Sequence, residues 1–193
     1  MPLFFVTGMP GAGKTSICEY LKNNSQATAC DVDDGFAGHF DQAGLEQDHW
    51  EPDFLFLLLP DKIAQLKKES ANADVFLCGN ISRPENYFPL FDKVVFLSVS
   101  LDLLQERLHT RSNNPFGKDP ESLQAVIDHY PSTNRFWNKS SETNMKVKIV
   151  DASLPLKEVA DEVACFCTDG KLLRKSSHQL TKSSAGRISS NAE

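Results

Sequence analysis

The sequence predicts an α/β fold in which a parallel sheet is covered by helices on both faces. Three observations predict it. Short apolar runs alternate with segments of helical period from residue 3 to about 166. Several runs, such as Leu3-Phe4-Phe5-Val6 and Val94-Val95-Phe96-Leu97, are continuous rather than alternating, which suits strands buried on both faces. The first run opens straight into GMPGAGKTS, residues 8–16, a glycine-rich turn ahead of a helix.

Residues 3–7 are the first strand, and residues 14–23 the first helix, with Ile17 and Leu21 on one face and an end near Asn23-Asn24. Ala27–Val32 is a short second strand ending in acids. No period holds from Gly35 to Asp53, which reads as a loop-rich insertion, and Phe54–Leu59 fits helix and strand equally. Pro60 suits the first turn of a helix running to about Ser70, with Ile63 and Leu66 inward. Val75–Cys78 and Val94–Val99 are the third and fourth strands. A helix over 101–111 carries Leu101, Leu104 and Leu108 on one side, and Asn113-Asn114-Pro115 breaks it. Glu121–Tyr130 is helical again, Val147–Val150 is the fifth strand, and Leu156–Phe166 the closing helix.

Length and composition bound the function. A chain of 193 residues fits one domain with a proper core. From Gly170 the composition shifts to six serines, five Lys or Arg and one acid, as expected of a disordered basic tail. The expected domain is therefore 1–169 and the tail 170–193. The net charge is −6 overall and −10 on residues 1–169, which speaks against a nucleic-acid groove. No apolar stretch is long enough to span a membrane, and MPLFFVTG has no cationic leader, so a cytoplasmic protein is expected. The five cysteines show no paired spacing. Cys165-Phe-Cys167 lacks a second pair or a nearby histidine, so all five read as structural thiols of a reducing compartment.

Gly8-Met9-Pro10-Gly11-Ala12-Gly13-Lys14-Thr15 matches G-x-x-x-x-G-K-[ST], the Walker A or P-loop pattern, between a strand and a helix. A triphosphate needs a tight wrap of backbone N–H groups without side chains in the way. The following helix, opening Lys14-Thr15-Ser16, adds free N–H groups and its positive dipole end. Residues 8–16 are the predicted ATP-binding segment. Lys14 supplies a point charge to the β- and γ-phosphates, and the Thr15 hydroxyl helps to hold Mg²⁺.

Other motifs narrow the class. An N-K-x-D base-reading loop is absent, and Asp41-Gln-Ala-Gly44 is too short a match to argue for a GTPase. The third strand ends Cys78-Gly79-Asn80 without the acid of motor ATPases. Acids follow the second strand instead, as Asp31-Val32-Asp33-Asp34. In an extended segment Asp31 and Asp33 project to one side while Asp34 turns away. Paired carboxylates beside a phosphate site hold Mg²⁺ or take an acceptor's hydroxyl proton.

With these residues in view, the chain resembles the small P-loop kinases: adenylate, shikimate and gluconate kinases and their relatives. The resemblance covers residues 3 to about 166. It implies a three-layer αβα P-loop NTPase fold with a five-stranded parallel sheet and a lid at about 101–120. It also implies that Asp31 holds Mg²⁺ and Asp33 orients the acceptor, since Asp31-Val-Asp33 matches the family's Asp-x-Asp. Leu104-Gln-Glu-Arg107-Leu-His-Thr-Arg111 matches the lid helix, which makes Arg107 and Arg111 clamps on ATP and the migrating phosphoryl group. The stretch from Val150 through Val159 resembles the family's fifth strand and adenine-side loop.

The departures concern the acceptor. Only Gly79 stands where shikimate kinases carry a run of glycines. From Asn23 to Asp61 there are nine Asp or Glu and no Lys or Arg, a field that disfavours an anionic acceptor unless Arg83 or Arg135 compensates from outside. His39, His49 and Trp50 are candidates to line the acceptor pocket. The expected activity is transfer of the γ-phosphoryl group of Mg–ATP to a small molecule, with ATP and Mg²⁺ as cofactors and no membrane or nucleic-acid partner. A nucleotide-binding regulatory module, a nucleoside monophosphate kinase and a polynucleotide-end kinase remain open alternatives.

Overall fold

The computed structural model describes residues 2–170 except 50, 52, 71, 72 and 113. Of the predicted tail, 170–193, all but Gly170 lies outside the described residues, as does Trp50. Five parallel strands make the main sheet: β1 (Leu3–Gly8), β2 (Thr28–Asp31), β6 (Val75–Cys78), β7 (Lys93–Ser98) and β8 (Val147–Asp151), in the order β2-β6-β1-β7-β8. Every residue of β1 and β6 is buried, which is why both read as unbroken apolar runs. Helices α1 (Lys14–Asn24) and α5 (Leu156–Cys167) pack together against one face. Helices α3 (Leu101–Thr110) and α4 (Pro120–Thr143) pack together on the other, and α2 (Pro60–Glu69) precedes β6. This is the three-layer α/β arrangement the strand–helix alternation predicts.

The core is rich in phenylalanine. Phe5 stacks on Phe91 with ring centroids 4.9 Å apart, and Phe96 stacks on Trp137 at 5.0 Å. All five cysteines are free, and Cys18, Cys78 and Cys167 are buried as small hydrophobes.

Four details differ from the sequence reading. The segment from Gly35 to Asp53 is not merely a loop. With residues 55–58 it forms a second, antiparallel sheet of β3 (Ala37–Phe40), β4 (Glu46–Gln47) and β5 (Leu55–Leu58), ordered β4-β3-β5. Its strands are too short and too mixed in polarity to show a period. It is tied to the main domain where Ser82 N donates to Phe56 O at 2.8 Å and Phe56 N donates to Ser82 Oγ at 3.0 Å.

The helix expected to stop at Tyr130 runs on through Pro131 to Thr143. Proline removes one intrahelical hydrogen bond, but burial of Trp137 and the Tyr130 hydroxyl donating to Val99 O at 2.7 Å hold both halves to the sheet. The strand carrying the acids stops at Asp31, and Val32–Asp34 is a 3₁₀ turn rather than extended chain. Helix α3 ends at Thr110, with Arg111 as its extended C-cap at φ −62° and ψ 144°.

Candidate active site

The glycine turn bends because Gly11 and Gly13 adopt φ of 88° and 102°, left-handed values that L side chains rarely tolerate. Gly13 is the N-cap of α1, so the helix's unpaired N–H groups open toward the turn. Residues 10–16 border a cavity of about 1130 Å³ at the C-terminal edge of the main sheet, where open parallel sheets place their ligands. Gly8 and Met9 stand behind that wall. Their carbonyls receive hydrogen bonds from Lys14 Nζ at 2.8 and 3.1 Å.

The electrostatics follow from these positions. Burial pushes the Lys14 ammonium down to about 8, Asp31 and Asp33 pull it upward, and Arg111 adds to the depression. Burial raises the Asp33 carboxyl from its ordinary value, the neighbouring Asp31 adds to that, and Lys14 opposes it. Asp31, at the end of β2, is the N-cap of the 3₁₀ turn that carries Asp33. Asp31 accepts hydrogen bonds from Thr15 Oγ1 at 3.1 Å and from Asp33 N at 3.3 Å. Both Asp31 and Asp33 line the cavity.

Opposite them, Arg107 and Arg111 also line it. Arg107 donates to Ala152 O at 2.9 Å, joining α3 to the loop after β8. Arg111 donates to Phe116 O, while its Nε is buried without a partner. The two guanidinium groups share the cavity although Arg111 has left the helix. Leu154, Leu156 and Val159 provide an apolar flank beside Arg107.

Among the acceptor-side candidates, His39 lines the cavity, whereas His49 is exposed and paired with Asp48 at 3.1 Å. Arg83 and Arg135 do not border the cavity. Gln47, Phe56, Asn80 and Ser82 do, and sequence reasoning gave them no role. Asn80 and Ser82 follow β6 directly and were the more accessible signal. Gln47 and Phe56 reach the cavity through a sheet that no periodicity announced.

The donor set fits a hard divalent cation. Thr15 Oγ1 and the Asp31 carboxylate are oxygen donors in contact, of the kind that suits Mg²⁺, which takes few protein ligands beside phosphate and water. No cluster of three or more His, Cys, Asp or Glu capable of holding a metal occurs among the described residues.

A family model described as an AAA domain matches residues 5–127, from the first strand through both arginines and into α4. The chain belongs to this AAA domain family. No curated protein matches the sequence. Among solved structures, a gluconokinase from Sinorhizobium meliloti 1021 is similar, with a TM-score of 0.51 and 18% identity over 87% of this chain and 92% of that one. A sugar kinase from Janibacter sp. HTCC2649 is similar with a TM-score of 0.53 and 12% identity, over 88% and 95% of the two chains. At such identities the likeness is one of fold alone, the three-layer α/β arrangement described above. No helix among the described residues is long and apolar enough to cross a membrane.

Proposed function

We propose that this AAA-family chain is a phosphotransferase that moves the γ-phosphoryl group of Mg–ATP to a hydroxyl on a small, non-anionic acceptor. One observation carries the reading: Asp31, bonded to Thr15, and Asp33 stand on the same cavity as Lys14, Arg107 and Arg111. That combination suits phosphoryl transfer, in which positioning and charge neutralisation supply most of the catalysis. The fold shared with a gluconokinase and a sugar kinase is consistent with it.

In this reading the amides of residues 11–16 bind the phosphates and Lys14 neutralises them. Thr15 and Asp31 would hold Mg²⁺, which when bound offsets phosphate charge. Asp33 orients the acceptor hydroxyl and takes its proton as the new P–O bond forms and the bond to the β-phosphate oxygen breaks. Its raised carboxyl is better matched to that proton transfer than an ordinary aspartate. Arg107 and Arg111 stabilise charge spreading over the transferred group. The residues 1–169 are proposed to suffice for this activity.

Incubation of the chain with Mg–ATP and a panel of nucleosides, sugars and polyols tests the reading, with mass spectrometry for an added phosphate. ADP release that rises with one acceptor class supports it. ATP consumption indifferent to every acceptor overturns it.

A further inference from the structure

We propose that His39 and Gln47 read the acceptor, and that the acceptor is an uncharged molecule carrying neighbouring hydroxyls. This rests on the phosphotransferase reading above and narrows it.

Gln47, His39 and Phe56 form one row across β4, β3 and β5, with His39 in register with Gln47 on one side and Phe56 on the other. Directly opposed residues of antiparallel strands project from the same face. That face is turned to the cavity, since all three residues line it. The rings of His39 and Phe56 lie 4.8 Å apart, tilted by 38°.

The groups this row offers follow from those already committed. His39 Nδ1 is buried with no partner. A stranded N–H is costlier than a bare lone pair, so in the neutral ring the proton belongs on Nε2. With Nδ1 shut away, Nε2–H is the donor able to face a ligand. Gln47 Nε2 donates to Asp41 Oδ2 at 2.9 Å and to Leu45 O at 3.4 Å. Both of those oxygens only accept, which fixes the amide orientation and leaves Gln47 Oε1 as an acceptor. A donor and an acceptor therefore stand on adjacent strands, and a hydroxyl complements either.

Charge and shape select the rest of the ligand. Beside this row are Asp31 and Asp33, and the cavity's cations, Lys14, Arg107 and Arg111, belong to the start of α1, to α3 and to the residue that caps α3. A carboxylate or phosphate on the acceptor would lie against two acids with no counter-charge from the small sheet. The Phe56 ring offers flat apolar surface to the C–H side of a polyol.

The test uses the full chain with Mg²⁺ and a non-hydrolysable ATP analogue, titrated calorimetrically with glucose, ribitol and glycerol, and with gluconate, ribose 5-phosphate and AMP. An uncharged polyol is expected to bind more tightly than its acidic counterpart. His39→Phe is expected to weaken polyol binding about five- to tenfold while affinity for the ATP analogue stays unchanged. His39→Gln, which returns an amide donor, is expected to recover part of the loss. Should His39→Phe fail to fold by circular dichroism, Gln47→Leu removes the acceptor half of the pair instead. Preference for gluconate, ribose 5-phosphate or AMP, absence of polyol binding, or polyol binding indifferent to the His39 and Gln47 variants would overturn the inference. Phosphate transfer is scored separately by mass. Polyol binding without transfer sinks the phosphotransferase reading alone, whereas transfer to a sugar acid sinks only the acceptor assignment.

Discussion

Thr15 Oγ1 donates to Asp31 Oδ2 at 3.1 Å, joining the first turn of α1 to the end of β2. If this pair holds Mg²⁺, the hydroxyl oxygen and the carboxylate charge matter more than the bond between them. Thr15→Ser should keep Mg²⁺-dependent ATP affinity near that of the parent chain. Thr15→Ala should weaken it about 10–100-fold, the range typical for losing an orienting partner at a metal site. Asp31→Asn retains a hydrogen-bond acceptor but loses the charge, and should be as damaging as Thr15→Ala. Calorimetric ATP titrations at graded Mg²⁺ check this, and an Asp31→Asn chain with unaltered Mg²⁺ dependence contradicts the metal assignment.

Lys14 makes a prediction about stability as well as binding. Burial lowers its ammonium to about 8 from an ordinary 10.5, so the nucleotide-free folded chain binds fewer protons than the unfolded chain between those pH values. Stability contributed by this group therefore rises with pH across that window, and the charged form is a liability below it. Lys14→Met should melt higher than the parent at pH 7 without nucleotide, and that advantage should shrink as pH rises from 8 to 10.5. The same variant should lose the thermal shift caused by Mg–ATP. A melting point that falls at pH 7 would show that the Lys14 bonds to the Gly8 and Met9 carbonyls outweigh the burial cost.

The parts of this molecule legible in the sequence are those built from local repetition. β1, β6 and β7 are uninterrupted apolar runs between turn signals, and the glycine turn must precede a helix for its amides to converge. The motif therefore names residues 8–16, of which residues 10–16 border the cavity. The small sheet was illegible because β3 reads Ala-Gly-His-Phe and β4 is only Glu46-Gln47. Such strands exist through cross-strand bonds and the Phe56–Ser82 tie, which no local pattern encodes. Pro131 misled for a related reason: the local rule ends a helix there, and Trp137, packed on Phe96, overrides it.

Asp33 should show its role in the pH dependence of turnover. A base works only when unprotonated, and burial with the adjacent Asp31 raises this carboxyl from its ordinary value. The acidic limb of the kcat/KM profile, which reports the free chain, should fall at a pH above that of an unperturbed aspartate. Asp33→Asn should reduce kcat about 10²–10⁴-fold while leaving ATP affinity in place. A parent profile flat down to the ordinary carboxylate range would remove Asp33 as the proton acceptor.

Arg111 separates binding from chemistry. It lines the cavity that Lys14 shares and pairs with no carboxylate among the described residues, so its charge is held ready rather than spent. If it stabilises the transferred group, Arg111→Ala should lower kcat about 10³–10⁵-fold, the scale associated with arginine fingers, with a smaller change in KM for ATP. Arg111→Lys should not restore the rate, because an ammonium cannot reproduce a planar fork of donors. Steady-state kinetics with both variants decide it, and a loss confined to KM would make Arg111 a binding group instead.

Gly79 packs against Val32, the residue that precedes Asp33 in the 3₁₀ turn. It follows β6 with φ +154°, and a Cβ there would lie 2.1 Å from Val32 Cγ2. Val32 is fully buried between Asp31 and Asp33 in sequence, so it cannot yield outward without dragging the 3₁₀ turn. Gly79→Ala should therefore destabilise the chain by about 2–4 kcal/mol, from strained backbone and overpacking together. It should also reduce turnover more than ATP binding, since the displaced turn carries Asp33 while the residues 10–16 stay put. Combining it with Val32→Ala removes the 2.1 Å contact but leaves the residue 32 Cβ 2.9 Å from the new methyl, and should return part of the lost turnover, though not the backbone strain. Denaturant melts and kinetics on the three variants test this; a double variant no more active than Gly79→Ala would show that the glycine acts through its own backbone conformation rather than through the position of Asp33.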